Sequence, residues 1–211
     1  MLEIAVLTGD LIASTKAGPE AVERAVQALS EAAGQLSGWV GHDTRFTRFR
    51  GDGWQLFLAR PGLALRATLF LLANLRATDT GISTRLSIAI GPYDRLGEAG
   101  LASASGAAFV MSGRLLDTMH KTRRIGLSEN ADDVFLKAAI IELAEWQASR
   151  WSREQAKTVA LALSTEAPTQ AVIAAQLGIT RQAVQARLKG AGVSAFQTAL
   201  HAFEMPQDDA A

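Results

Sequence analysis

Apolar positions along this chain fall into three patterns, and each predicts a different kind of element. Residues 2–8 (LEIAVLT) form a near-continuous apolar run ending at Gly9-Asp10, the pattern of a strand covered on both faces. From Pro19 to about Leu36 the period becomes helical. Proline occupies the first turn, and Val22, Ala25, Val26, Leu29 and Ala33 recur three and four apart. TRFTRFR (44–50) then interleaves polar and aromatic residues, and WQLFLAR (54–60) answers it across Gly51-Asp52-Gly53. Asp-Gly between two such runs predicts a hairpin. A second apolar helix is expected from Pro61 to about Arg76, and a strand over RLSIAIGPY (85–93), stopped by Gly91-Pro92. After a glycine-rich loop (95–106) come a helix from about Ala107 to His120 and a short strand near Arg124 to Ser128. The first six elements make a βαββαβ unit, the split ferredoxin-like arrangement.

The pattern changes after about Asn130, beyond which no strand candidate occurs. Ala131 to Ser149 reads as one helix, and 152–163, 169–177, 180–189 and 194–204 as four shorter ones. The expected organisation is therefore an α+β domain over 1–130, a connecting helix over 131–151 and an all-α domain over 152–205. A polar tail from Pro206 is expected to fray. Trp146 and Trp151 are expected to pack where the domains join. Phe46, Phe49, Trp54 and Phe57 read as core rather than as a base-stacking platform. Arg48 and Arg50 share one strand face, with Arg45 on the other; the pair reads as a solvated strand face, the alternative being service to an anionic ligand.

Composition narrows the chemistry. The chain has 211 residues, 48% hydrophobic and 20% charged, enough apolar material for a real core and too much for disorder. With no cysteine, a disulfide framework, a zinc ribbon and a thiol nucleophile are excluded. The histidines (His42, His120, His201) are scattered singly, which speaks against a histidine-built metal site. Basic and acidic residues balance at 21 each, so any contact with nucleic acid has to be local. The densest apolar run, Leu63 to Leu75, is broken by Arg66 and Asn74 and is too short to span a bilayer. The first residues lack the basic start and cleavage site of a signal peptide. A cytoplasmic protein with no membrane partner is expected.

The stretch TQAVIAAQLGITRQAVQARLKGAG (169–192) carries the most specific pattern. Ile173, Ala174 and Leu177 form the inner face of a first helix, which Gly178 ends by taking a left-handed conformation. Thr180 caps a second helix whose Val184 and Leu188 point inward one turn apart. Arg181, Gln182, Gln185 and Lys189 are left to face outward. Arginine pairs two-fold with guanine, glutamine with adenine, and lysine suits phosphate. Residues 169–195 hold three bases (Arg181, Arg187, Lys189) and no acid, a local positive patch on a neutral protein. The pattern resembles bacterial helix-turn-helix repressors and the fourth region of sigma factors. That resemblance implies DNA as a partner, met by Thr180, Arg181, Gln182, Gln185 and Lys189. The alternative is an ordinary helical hairpin with a glycine turn.

Two Gly-Asp pairs mark the first domain, one ending the first strand (Asp10) and one on the hairpin (Asp52). Such a pair alone is most often a turn or a helix cap. In a ferredoxin-like sheet, however, that strand and that hairpin are neighbours, so the two carboxylates are expected to converge. Converging carboxylates repel, and a hard divalent cation such as Mg or Mn is the usual remedy. The helix start after Asp10 offers backbone N–H groups and the hydroxyls of Ser14 and Thr15 to a phosphate.

At this point the chain resembles the class III nucleotidyl cyclases. DLIAST (10–15) stands where those enzymes carry an Asp-Ile-x-Gly-Phe-Thr type segment, and FRGDGW (49–54) follows on a hairpin. LSIAIGPYD (86–94) comes next, then GAAFVMSGRLLDTM (106–119), similar to the helix that carries their transition-state arginine. Over nearly its full length the chain resembles the SatD family, which joins such a domain to a C-terminal helix-turn-helix. The shared signatures are Gly9-Asp10, Gly51-Asp52-x-x-Gln55, the Ile-Gly strand and the small-residue helix from Gly106 to Arg114. The resemblance implies that Asp10 and Asp52 are metal ligands, assisted by the carbonyl of Leu11, and that Arg114 faces the phosphates. Two departures stand against efficient catalysis. Val110 occupies the place of the ribose-orienting asparagine, and no Lys/Asp pair for reading a purine is visible. Ser112 has no base partner in sequence reach, so it is not expected to be a nucleophile.

The reading that follows is a homodimeric transcriptional regulator with a nucleotide- and metal-binding cyclase-like domain of weak or absent activity. Its alternatives are an active Mg-dependent cyclase or related phosphoryl-transfer enzyme, and an interaction module whose sites are relics. Pairing through a two-fold axis is the common way for a lone helix-turn-helix to gain affinity, and the cyclase resemblance also implies pairing.

Overall fold

A computed structural model of the chain describes residues 3–40, 44–49, 51–98 and 100–204. His42, Arg50 and the tail from Pro206 lie outside the described residues. The chain runs through β1 (Glu3–Ile12), α1 (Ser14–Ala17), α2 (Pro19–Val40), β2 (Arg45–Phe49) and β3 (Gly53–Leu58). A 3₁₀ turn (Pro61–Leu63) leads into α3 (Ala64–Ala77), followed by β4 (Ser83–Pro92), α4 (Ala107–Thr118) and β5 (Ile125–Ser128). The remaining elements are helical: α5 (Val134–Ala148), α6 (Arg153–Ala162), α7 (Gln170–Leu177), α8 (Arg181–Ala191) and α9 (Val193–Glu204).

The five strands form one sheet in the order β2-β3-β1-β4-β5. The first four pair antiparallel in the order of the split ferredoxin-like arrangement, and β5 adds to β4 in parallel. The α+β expectation is met. One boundary differs from the sequence pattern. β1 does not stop at Gly9-Asp10 but pairs with β4 as far as Ile12↔Ser83. Asp10 is therefore a strand residue, fixed in direction by the ladder on both sides, rather than part of a turn.

Residue alternation gives the sheet two unlike faces. On one, Ala5, Leu7, Leu11, Leu56, Leu58, Leu86, Ile88 and Ile90 belong to the main core. α2 contributes the stripe Ala21, Ala25, Leu29, Ala32, Ala33 and Leu36 to that core, as its helical period requires. α3 is different, since residues all round it are buried, from Leu65 and Thr68 to Phe70, Leu71 and Leu75. A helix apolar on every side needs cover on every side. The same core continues past α3 through Ile141, Ala144, Ala148, Trp151, Val159, Phe196, Leu200 and Phe203. Polar clamps reinforce that continuity. Arg66 donates from Nε and Nη2 to both carboxylate oxygens of Glu204 (2.6 and 3.0 Å) and from Nη1 to the carbonyl of Leu163 (3.0 Å).

Gly9 has a packing reason. It pairs with Trp54, whose ring lies across it, fully buried. A Cβ on Gly9 would stand 2.5 Å from two ring carbons and 2.9 Å from the carbonyl oxygen of Arg85. The indole Nε1 donates to Thr84 Oγ1 (3.0 Å), which donates onward to the carbonyl of Asp10 (2.7 Å), so the ring is held where it is. Gly9→Ala is therefore expected to cost about 1–3 kcal/mol, the range for overpacking a fitted core. Urea unfolding measures it, and a loss under about 0.5 kcal/mol, the size of a surface change, would mean that Trp54 turns aside freely.

The opposite face carries α4. Ile4, Val6, Phe57, Leu101 and Ala108 form a second, smaller cluster. Beside it runs a buried row of hydroxyls. Gln55 Nε2 donates to Thr8 Oγ1 (3.0 Å), Thr8 Oγ1 bonds Ser112 Oγ (2.8 Å), and Ser87 Oγ donates to the carbonyl of Ser112 (2.6 Å). Ser112 is fully buried and fastens α4 to β1.

Candidate functional site

The two aspartates come together through the backbone. Asp10 is paired with Gly53 at the end of the β1–β3 ladder, and the N–H of buried Leu11 donates to the carbonyl of Asp52 (3.1 Å). Their carboxylates, however, have separate partners. Arg85, opposite Asp10 on β4, donates from Nε to Oδ1 (3.2 Å) and from Nη2 to Oδ2 (3.0 Å), a two-pronged ion pair. These bonds raise Arg85 above its ordinary range, against a smaller lowering by desolvation; the charges of Asp10 and, on α4, Asp117 raise it further. Asp52 Oδ2 instead accepts from Ser14 Oγ at 2.8 Å.

Asp52 and Ser14 line an open cleft of about 420 Å³ with Thr15, Gly18, Pro19, Val22, Glu23, Arg48 and Gly51. Thr15 is exposed. The short α1 begins after Ala13, which holds the left-handed conformation (φ 68°), and this places Ser14 within reach of the hairpin. Arg48 is less free than its exposed strand position suggests. Its Nη1 pairs with Glu23 (2.7 Å) and its Nε donates to the carbonyl of Gly51 (2.7 Å).

This donor set does not fit a divalent cation as arranged. Both oxygens of Asp10 accept from a guanidinium, whose positive charge repels a cation approaching that carboxylate. Among the described residues no group of three or more His, Asp or Glu side chains is gathered. Arg85 is the residue that sequence reasoning missed. In LSIAIGPYD and the residues before it, nothing distinguishes a strand arginine that faces solvent from one that faces Asp10; only the β1–β4 register does.

Arg114 stands elsewhere. It is exposed on the outer stripe of α4 with Ala107, Val110 (68% exposed), Asp117 and Thr118, and its side chain bonds none of Asp10, Asp52 or Ser14. Within one chain the structure thus joins Ser14, Thr15 and Asp52 around a cleft, ties Asp10 to Arg85, and leaves Arg114 outside both groups.

The α7–α8 pair follows its sequence pattern closely. Thr169 Oγ1 accepts from the N–H of Val172 (3.3 Å) and Thr180 Oγ1 from that of Ala183 (3.1 Å), so each helix starts on a threonine cap. α7 ends at Gly178 (φ 63°, ψ 34°), where the N–H of Ile179 reaches the carbonyl of Ala174 (3.0 Å) and that of Gly178 the carbonyl of Ala175 (3.3 Å). Those two hydrogen bonds make the glycine-ended helix cap that reverses the chain sharply. Ile173, Ala174 and Val184 form a cluster of their own, closed by Leu161, Ala162, Leu177, Ile179 and Leu188.

Arg181, Gln182, Gln185 and Lys189 are all exposed on α8. Arg181 and Gln185 border an open groove of about 400 Å³ with Thr169, Gln170 and Ala171. Of the three bases in this region Arg187 is committed, pairing with Glu154 of α6 at 3.3 Å.

No family model and no curated protein matches the sequence. Among solved structures the chain is similar over 55% of its length to 69% of the guanylyl cyclase Cya2, at 17% identity and a TM-score of 0.39. It is also similar over 60% of its length to 75% of a bacterial light-regulated adenylyl cyclase, at 18% identity and a TM-score of 0.44.

Proposed function

We propose that the chain is a cytoplasmic, SatD-like transcriptional regulator in which α6–α8 act as a helix-turn-helix and α8 enters the major groove of DNA. The observation that carries this reading is the outer face of α8. Arg181, Gln182, Gln185 and Lys189 are exposed together and engaged in no ion pair or side-chain hydrogen bond among the described residues. Groups that read base edges and phosphates have to be free of internal partners, because an internal bond must first be broken. Duplexes selected from a random pool and titrated against scrambled ones test the reading. A selected duplex is expected to bind about 10³-fold or more tightly than a scrambled one at fixed salt. Equal affinity for both would leave the helix pair as a packing or protein-interaction element.

The sheet domain, in this reading, is cyclase-like and binds a nucleotide-type anion at the Ser14–Asp52 cleft without turning it over. Incubation with ATP or GTP plus Mg or Mn is expected to return the nucleotide unchanged; a cyclic product would make the chain an enzyme instead. The Arg85–Asp10 pair supports the inactive reading, because a cation has to displace a guanidinium to reach Asp10. Arg85→Ala is accordingly expected to raise Mg affinity. One positive charge removed about 6 Å from a divalent ion is worth about 1.4 kcal/mol even in bulk dielectric, or tenfold. Calorimetry with Mg alone checks it, and an unchanged isotherm would mean that the aspartates do not form a cation site with or without Arg85.

A further inference from the structure

The strongest unexplained surface is on α5. Ile141, Ala144 and Ala148 turn its inner side to the core. The opposite side should be polar, yet it carries Phe135 (86% exposed), Leu136 (65%), Leu143 (70%) and Trp146 (55%), with exposed Ala139 between them. Trp146, expected from the sequence to pack between domains, is thus at the surface, with the Arg150 guanidinium 4.0 Å above its ring. Spacings of three and four residues put all five on one stripe. Beside it, Ile140, Leu143 and Gln147 with Gly192, Phe196 and Ala199 line an apolar groove of about 520 Å³ between α5 and α9.

We propose that this stripe is the contact of a two-fold homodimer in which α5 packs antiparallel against α5 of a second copy, the axis passing close to Ala139. Three features select a second copy over another occupant. First, the stripe is self-complementary about its small centre. Leu136 and Leu143 lie three residues before and four after Ala139, and Phe135 and Trp146 four before and seven after, so both pairs centre within about two residues of it. Running the helix against itself places Leu136 on Leu143, beside the groove, and Phe135 on Trp146, each contact made twice. That reciprocity is what an isologous interface requires. Ala139 lets the two backbones approach where they cross.

Second, the ends match in charge. The same antiparallel register brings Arg150 of one copy within about one helical turn of Asp132 of the other, in reach of its long side chain. Both are exposed, and neither is in an ion pair among the described residues. Third, the area suffices. With about 150–250 Å² per aromatic side chain, the four large residues offer about 500 Å² of accessible surface. Two copies therefore hide roughly 1,000 Å², where specific interfaces begin, before the groove is counted. The inference concerns assembly alone and stands whether or not α8 meets DNA.

The full chain contains no cysteine, which makes the axis directly testable. Under mild oxidation Ala139→Cys is expected to form a disulfide with itself, since only a residue near a two-fold axis meets its own copy within bonding reach. Val110→Cys, exposed on α4, is expected to remain uncrosslinked. By sedimentation velocity the parent is expected to be a dimer at micromolar concentration. Leu136→Glu with Leu143→Glu is expected to weaken it about 30-fold or more, the minimum for lost interface anchors. Circular dichroism should be unchanged, as both side chains are exposed. Arg150→Asp is expected to weaken the dimer and a second change, Asp132→Arg, to restore it. A parent that stays monomeric at high micromolar concentration overturns the proposal. A dimer that survives both glutamates while Val110→Cys crosslinks also overturns it, and moves the interface to the outer face of α4.

Discussion

Trp151→Ala is expected to destabilise the whole chain by about 3–5 kcal/mol, the cost of deleting a buried tryptophan. The ring is 1% exposed and stands edge-on to Phe196 of α9, with centroids 5.5 Å apart. Its Nε1 donates to the carbonyl of Ala191 at the end of α8 (3.0 Å), and its own carbonyl accepts from Arg76 Nε of α3 (3.0 Å). The backbone carbonyl survives the substitution, and Ala191 keeps a bond from Gln147 Nε2 (3.3 Å), so no polar group is orphaned. What is lost is packing at the point where α3, α8 and α9 meet. Because the core runs unbroken from the sheet through α3 to α9, the loss is expected to be felt everywhere. Urea unfolding followed by far-ultraviolet circular dichroism and by tryptophan fluorescence, with Trp39 and Trp146 replaced by Phe so that buried Trp54 reports the sheet, should show both signals shifting together. Trp151→Phe should recover much of the loss by keeping the contact with Phe196. A helical signal that shifts while that of Trp54 stays put would separate the C-terminal helices from the sheet energetically.

Local pattern carried most of the elements, because period and punctuation are local properties. The runs at 44–50 and 54–60 become β2 and β3 around a turn in which Gly51 has φ 81°. The threonine and glycine punctuation of 169–192 becomes caps and a chain reversal. What stayed hidden depends on register or on the far side of an element. The sequence places Asp10 on the first strand and Asp52 on the neighbouring hairpin turn, but only the β1–β4 pairing sets Arg85 against Asp10 and answers the repulsion from within. A glycine before an aspartate reads as a motif, whereas Gly9 is required by the ring of Trp54, 45 positions along the chain. The nearly uniform apolarity of α5 gives no hint of which side faces the core, so an exposed Trp146 could not be told from a buried one.

Replacing Arg181, Gln182 and Gln185 of α8 together by alanine is expected to reduce affinity for a selected duplex to that for a scrambled one. If α8 enters the groove by its N-terminal end, Arg181 and Gln182 lie nearest the base edges and Gln185 one turn on. Each good base pairing is worth about 1–3 kcal/mol of discrimination, so losing three erases a specificity ratio of about 10³. Folding should be untouched. The three side chains are exposed, alanine is the best helix former, and neither the Thr180 cap nor the cluster of Ile173, Ala174 and Val184 is altered. Lys189→Ala makes the contrasting control. It sits farther along the helix, so its loss should weaken binding to every duplex alike and flatten the salt dependence by about one unit of slope. Arg187 should behave differently again, because its partner is Glu154 and not DNA. Anisotropy titrations of selected and scrambled duplexes at several salt concentrations distinguish these outcomes, with circular dichroism as the folding control. A triple variant that still prefers the selected duplex would place the reading surface elsewhere on the chain.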